Sequence, residues 1–183
     1  MELARNLKPV DLDEVRMVAK NARGCIDYIY LHWTAGRYGQ IYGDYHISID
    51  RDGLIYFPEN FGDLTRKLNH TWRRNSRAVG IALCGCYDAQ ANSGKNCNLG
   101  SEPPTPAQIE ALAAVTAIIC KYAGVPVDNV MTHCEAAIAD GYGPFSGDPE
   151  TRWDLWYLRD YDGEMKSGGY ILRGKIRWYL NAI

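Results

Sequence analysis

The segment Thr105–Pro126 constrains the fold of this chain more than any other. Thr105 suits a helix N-cap, Pro106 the first helical position, and Gln108 completes a capping-box pattern. Ile109, Leu112, Ala113, Thr116, Ile119, Cys120 and Ala123 recur at helical spacing as one apolar stripe, which Gly124 and Pro126 end. Such a stripe needs a sheet or other helices to cover it. The remaining apolar runs are short and β-prone, and predict strands over Cys25–His32, Tyr45–Asp50, Leu54–Phe57, Ala78–Cys84 and Val130–His133. Arg51-Asp52-Gly53 reads as a hairpin turn between the second and third of these. Asp11–Lys20 and Asp154–Tyr161 read as shorter helices opening at acidic caps. Strands and helices interleave, so the expected fold is α/β: a single domain over residues 1–183 with a central mixed β-sheet flanked by helices. Asp88–Pro104 reads as an exposed loop. The aromatic and basic stretch 163–183 is either a closing element or a surface for substrate.

Two predicted strands end in histidine. Tyr28-Ile29-Tyr30-Leu31-His32 places His32 on the face of Tyr28 and Tyr30, with Ile29 and Leu31 opposite, and Val130-Met131-Thr132 runs into His133. A strand end on a rigid sheet holds a side chain well enough to ligate a metal, and neutral imidazole is the commonest protein ligand of zinc. His32 and His133 are therefore candidate metal ligands, although a histidine at such a place is more often simply hydrogen-bonded.

Composition narrows the classes. The chain has 183 residues, 46% of them hydrophobic and 23% charged, with a formal net charge of −2. That charge gives no reason to expect a nucleic-acid partner, and no apolar run nears the roughly 20 residues that span a bilayer. Met1-Glu2-Leu3-Ala4-Arg5 lacks the basic start and apolar stretch of a signal peptide, so synthesis in the cytoplasm is expected. Of the six cysteines, Cys25, Cys84 and Cys120 lie in apolar segments and read as buried. A Cys86–Cys97 bridge is open to the chain in an oxidising compartment.

Five ordered pieces resemble the zinc-dependent N-acetylmuramoyl-L-alanine amidases of the type-2 amidase and peptidoglycan-recognition superfamily, especially phage-lysozyme-like members. They are Tyr30–Ala35, Tyr45–Gly53, Asn69-His70-Thr71, Ser76–Gly85 and Thr132-His133, and the likeness spans about residues 28–158. The resemblance implies zinc bound by His32, His133 and a third ligand near the last helix. Asp154 fits that place, because Arg152-Trp153-Asp154 keeps a cation two residues before it; Asp148-Pro149 is the competing assignment. Two imidazoles and one carboxylate leave zinc a net positive charge and an open position. Arg152 stands where the family carries Lys and would stabilise developing negative charge.

The resemblance leaves the general base open. Many members carry Glu where this chain has Ala82. Tyr45 is assigned to proton transfer or water orientation, and Glu135 is a substitute base or a group fixing a ligand's tautomer. His46, on the other side of its strand from Tyr45, reads as structural. His70, Trp33 and Trp72 are assigned to substrate binding, and Ala136–Gly147 to an insertion over the cleft. The implied substrate is bacterial peptidoglycan or its muropeptide fragments, cut by a monomeric enzyme of endolysin, toxin or wall-remodelling type that reaches the wall after release, or by a cytoplasmic enzyme that recycles wall fragments. Two alternatives stand beside it: a non-catalytic peptidoglycan-recognition module, and a structural zinc domain using Cys134.

Overall fold

In this computed structural model, residues 3–4, 7–58, 62–149 and 151–183 are described; Met1, Glu2 and Arg5 of the N-terminal stretch lie outside them. The central sheet is built from β1 (Tyr28–Trp33), β2 (Ile47–Ile49), β3 (Ile55–Tyr56), β4 (Ala78–Leu83) and β5 (Val130–Thr132), in the order β3-β2-β4-β1-β5. β2, β4, β1 and β5 run parallel, and β3 pairs antiparallel with β2 through the Asp-Gly turn. The sheet is therefore mixed. Leu31 sits in register with Ile81 on one side and Thr132 on the other, while His32 and Ser48 both sit in register with Ala82.

Because side chains alternate along each strand, this register sorts the sheet into two faces. Ile29, Leu31, Ile47, Ile49, Val79 and Ile81 face one way, into the main core. Tyr30, Gly80, Ala82, Ser48 and His32 face the other. The first face is covered by α2 (Pro106–Ala123), against which α1 (Leu12–Asn21) and α4 (Gly168–Ala182) pack. Fully buried Leu31, Leu112 and Ile119 tie these layers together, each contributing roughly 1.5–3 kcal/mol by leaving water. The short α3 (His133–Ala139) lies on the second face, where Ala136 packs on Tyr30.

Helix α2 begins as its sequence dictates. Thr105 accepts from the Gln108 amide, and Gln108 Oε1 accepts from the Thr105 amide. The Gln108 side chain also donates to the carbonyls of Ile49 and Cys84, at 3.0 and 2.7 Å, so the same cap fixes the helix to the strand ends. The helix is buried over more than the predicted stripe, with Ala114, Val115, Ala117 and Ile118 covered as well. The flanking α1 and α4 provide that cover.

Three predicted elements differ. Residues 154–161 do not form a helix: Leu155 takes a left-handed φ of 58°, which breaks helical continuation directly after Asp154. The chain instead turns into β6 (Tyr157–Arg159), paired antiparallel with β7 (Met165–Ser167). The strand predicted through His133 stops at Thr132, because Thr132 and Glu135 form a capping box that starts α3 at His133. That helix takes up Ala136–Ala139, so only the later part of the expected insertion is loop. Within the 163–183 stretch, α4 closes the core through Ile171, Leu172 and Ile176. Cys25 is exposed rather than buried, and all six cysteines are unbridged, Cys86 and Cys97 included.

Candidate metal centre and substrate cleft

The register explains how His32 and His133 meet. Thr132 pairs with Leu31, so the next residue on each chain falls side by side on the second face of the sheet. Their Nδ1 atoms are 3.1 Å apart. Asp154, delivered by the turn before β6, puts Oδ2 at 3.4 Å from His32 Nδ1 and 3.3 Å from His133 Nδ1. All three residues are buried. Of the two competing aspartates, Asp154 joins the histidines; Asp148 is exposed on the rim of the neighbouring cavity.

These three atoms form a nearly equilateral triangle with edges of 3.1–3.4 Å. A tetrahedral ion with arms of about 2.0–2.1 Å has edges of about 3.3 Å, so the triangle has the dimensions of one face of a zinc-sized coordination tetrahedron. The protonation states agree. Burial lowers the His32 pKa to about 4, against the opposing pull of Asp154, which leaves its imidazole neutral at pH 7. Burial alone would raise the Asp154 carboxyl, but the two imidazoles outweigh it and hold it below the usual carboxylate range. Two imidazole nitrogens and one carboxylate oxygen are a donor set that zinc takes in open sites.

Behind His32 runs a chain of polar contacts. Its Nε2 lies 3.3 Å from Thr71 Oγ1, which lies 2.9 Å from His70 Nδ1. A proton on His32 Nε2 directed at Thr71 leaves Nδ1 with the lone pair that a metal needs. Asn75 shapes the loop by accepting from the amides of His70 and Thr71. The His70 ring lies over Gly80, where an added Cβ would come within 2.6 Å of Cγ. His46 Nε2 donates to the Arg66 carbonyl and Nδ1 accepts from the Gly80 amide, which accounts for both of its nitrogens. Sequence reasoning quoted Thr71 within Asn69-His70-Thr71 without giving it a role, and missed Asn75, four residues further on.

A cavity of about 610 Å³ opens beside the triad, lined among others by His70, Thr71, Trp72, Tyr142, Asp148 and Arg152. Residues 21–149 match the sequence profile of the Amidase_2 family, described as N-acetylmuramoyl-L-alanine amidase. The chain belongs to this family. No curated protein matches it. Solved structures similar to it include the endolysine N-acetylmuramoyl-L-alanine amidase LysCS of Clostridium intestinale URNW, with TM-score 0.44 and 19% identity, covering 74% of this chain and 78% of that one. Another is the Drosophila peptidoglycan recognition protein PGRP-SA, with TM-score 0.42 and 18% identity, covering 72% and 74%.

The remaining residues of this Amidase_2 chain divide between the site and elsewhere. Tyr45 is buried with its ring 5.2 Å from that of His32; burial first, then the Asp154 charge, raises its phenol far above the ordinary value. Trp72 is 54% exposed at the cavity, edge-on to Tyr142 and beneath the Arg73 guanidinium. Arg152 lines the same cavity. Two expectations are corrected. Trp33 alternates with His32, so it points into the main core and packs edge-on against Trp153 at 4.8 Å, away from the cleft. The Glu135 carboxylate caps α3 and pairs with Arg173 at 2.7 and 2.8 Å, so it faces α4 rather than the triad. Ala82 is fully buried in register with His32, so the sheet offers no carboxylate at that position.

Proposed function

We infer that the chain is a zinc-dependent N-acetylmuramoyl-L-alanine amidase that cuts the bond between N-acetylmuramic acid and L-alanine in peptidoglycan. The observation that carries this reading is the buried His32–His133–Asp154 triangle at the end of a 610 Å³ cleft. Zinc held there supplies a Lewis acid and makes water acidic enough to ionise near pH 7. The protein's own groups do the rest. Asp154 contributes the negative charge of the ligand set, and Thr71 keeps His32 in the ligating tautomer. Arg152, permanently cationic, stands at the cavity to stabilise the oxyanion as the carbonyl becomes tetrahedral. Tyr45 remains a phenol and acts as a hydrogen-bond donor that orients the reacting groups, not as a base. Acting on the bacterial cell wall is the role that fits this chemistry.

Purified protein incubated with peptidoglycan is expected to release stem peptides with a free L-alanine amine, visible by mass spectrometry. A chelator should stop release and added zinc restore it. Peptidoglycan retention without release would favour the recognition module instead, for which Ala82 in place of a carboxylate is the supporting observation. Tyr45→Phe should lower kcat about 10- to 100-fold with little change in KM, as expected for the loss of one positioned hydrogen-bond donor. Equal kcat for this variant and wild type would leave Tyr45 as a packing residue only.

A further inference from the structure

Among the described residues, three buried polar atoms bordering the cleft have no hydrogen-bond partner, His70 Nε2, His133 Nε2 and Tyr142 Oη, and the last two are neighbours. His133 Nε2 and Tyr142 Oη are both buried without a hydrogen bond, and their residues are each 6% exposed. Both residues line the 610 Å³ cavity, with ring centroids 6.2 Å apart. Buried polar groups are nearly always hydrogen-bonded, so two orphans on one cavity wall mark a place for a partner from outside the fold. Their chemistry says which kind. Nδ1 of His133 turns to Asp154 and His32, so in the tautomer that ligates a metal there Nε2 is the N–H donor. The Tyr142 hydroxyl carries an O–H and can donate as well.

We propose that His133 Nε2–H and Tyr142 Oη–H form a paired donor site that holds one acceptor oxygen of the stem peptide beside the scissile bond. The proposal rests on the peptidoglycan reading above. The site lies one imidazole width from the triad, so the oxygen belongs to the substrate residues next to the cut. Among the described residues the cavity wall carries Arg73 and Arg152 and one carboxylate, Asp148, which suits a peptide bearing carboxylates better than an uncharged sugar. Main-chain carbonyl and side-chain carboxylate share this acceptor chemistry. Tyr142 is held for the task by Trp72, against which its ring packs edge-on at 5.5 Å, and by its backbone N–H, which donates to the Ala137 carbonyl.

The test is calorimetric binding of the peptide L-alanyl-γ-D-glutamyl-L-lysine to the zinc-loaded protein, alongside the same peptide with its glutamyl α-carboxylate amidated. Tyr142→Phe keeps the ring against Trp72 and removes only the hydroxyl. It is expected to bind the acid peptide about tenfold more weakly than wild type does. A loss confined to the acid form identifies the carboxylate as the bound oxygen; an equal loss for both identifies a main-chain carbonyl. Nitrogen-15 spectra of the imidazoles supply a second reading, in which peptide should shift His133 Nε2 in wild type. Unchanged affinity for both peptides, or an unmoved His133 resonance, would overturn the paired site alone. A wild-type protein that binds neither peptide would overturn the peptidoglycan reading and the site with it.

Discussion

Asp154→Asn is expected to remove zinc-dependent hydrolysis almost completely, by about 1,000-fold or more, since it withdraws several kcal/mol of metal-derived charge stabilisation. The substitution is nearly isosteric, so packing around the buried turn is kept. It replaces the one anionic ligand among three close donors by a neutral amide. The effect can be read apart from activity. A ligand at 1,000 times its Kd stabilises the folded state by about 4.1 kcal/mol, which for a domain of this size is a melting shift of about 8–16 °C. If the amide weakens zinc about 100-fold, the shift at the same zinc concentration falls to about 3–6 °C. The metal-free variant should melt somewhat below metal-free wild type, because a carboxyl held below its ordinary range in the fold adds stability at neutral pH that the amide gives up, so each zinc shift is read against its own metal-free protein. Asp148→Asn serves as the comparison: that residue lies exposed on the rim and should leave the zinc shift intact. Loss of the shift in Asp148→Asn, with Asp154→Asn unaffected, would reverse the ligand assignment.

What the sequence made legible was mostly local. The α2 cap is written within four residues and the hairpin turn within three, and each formed where expected. The histidines could be placed because alternation along β1 fixes which face His32 takes. The same alternation puts Trp33 on the core face, so its removal from the cleft was readable from the outset. Thr132–Glu135 also carries a complete Thr-x-x-Glu capping box, which announces a helix at His133 and commits Glu135 to the cap. What could not be read depends on partners distant in the chain. β6 exists because it pairs with β7, and Arg173 reaches Glu135 from 38 residues away. The Asp154 turn depends on a left-handed leucine, a conformation that no sequence signal favours for that residue.

That turn leads to the second large effect, Gly168→Ala. Gly168 opens α4, and its amide donates to the Trp156 carbonyl at 2.9 Å. A Cβ built there would stand 1.9 Å from the Leu155 carbonyl oxygen and 2.9 Å from its carbon. Both are backbone atoms, so no side-chain rotation relieves the contact; either α4 or the 154–156 turn must move. Overpacking of this kind costs about 1–3 kcal/mol where neighbours can shift. Leu155 is fully buried and already left-handed, which places this site at the upper end. A loss of about 3 kcal/mol lowers the melting temperature by about 6–12 °C. The same displacement reaches the metal centre. Asp154 precedes Leu155 directly, and its carbonyl accepts from the Cys134 amide at 3.3 Å, next to His133. Zinc affinity should therefore fall together with stability in Gly168→Ala, whereas Gly174→Ala, at a helical position with nothing within 4 Å of the added methyl, should retain both. A Gly168→Ala protein that melts lower yet binds zinc as wild type does would show that α4 closes the core without holding the third ligand in place.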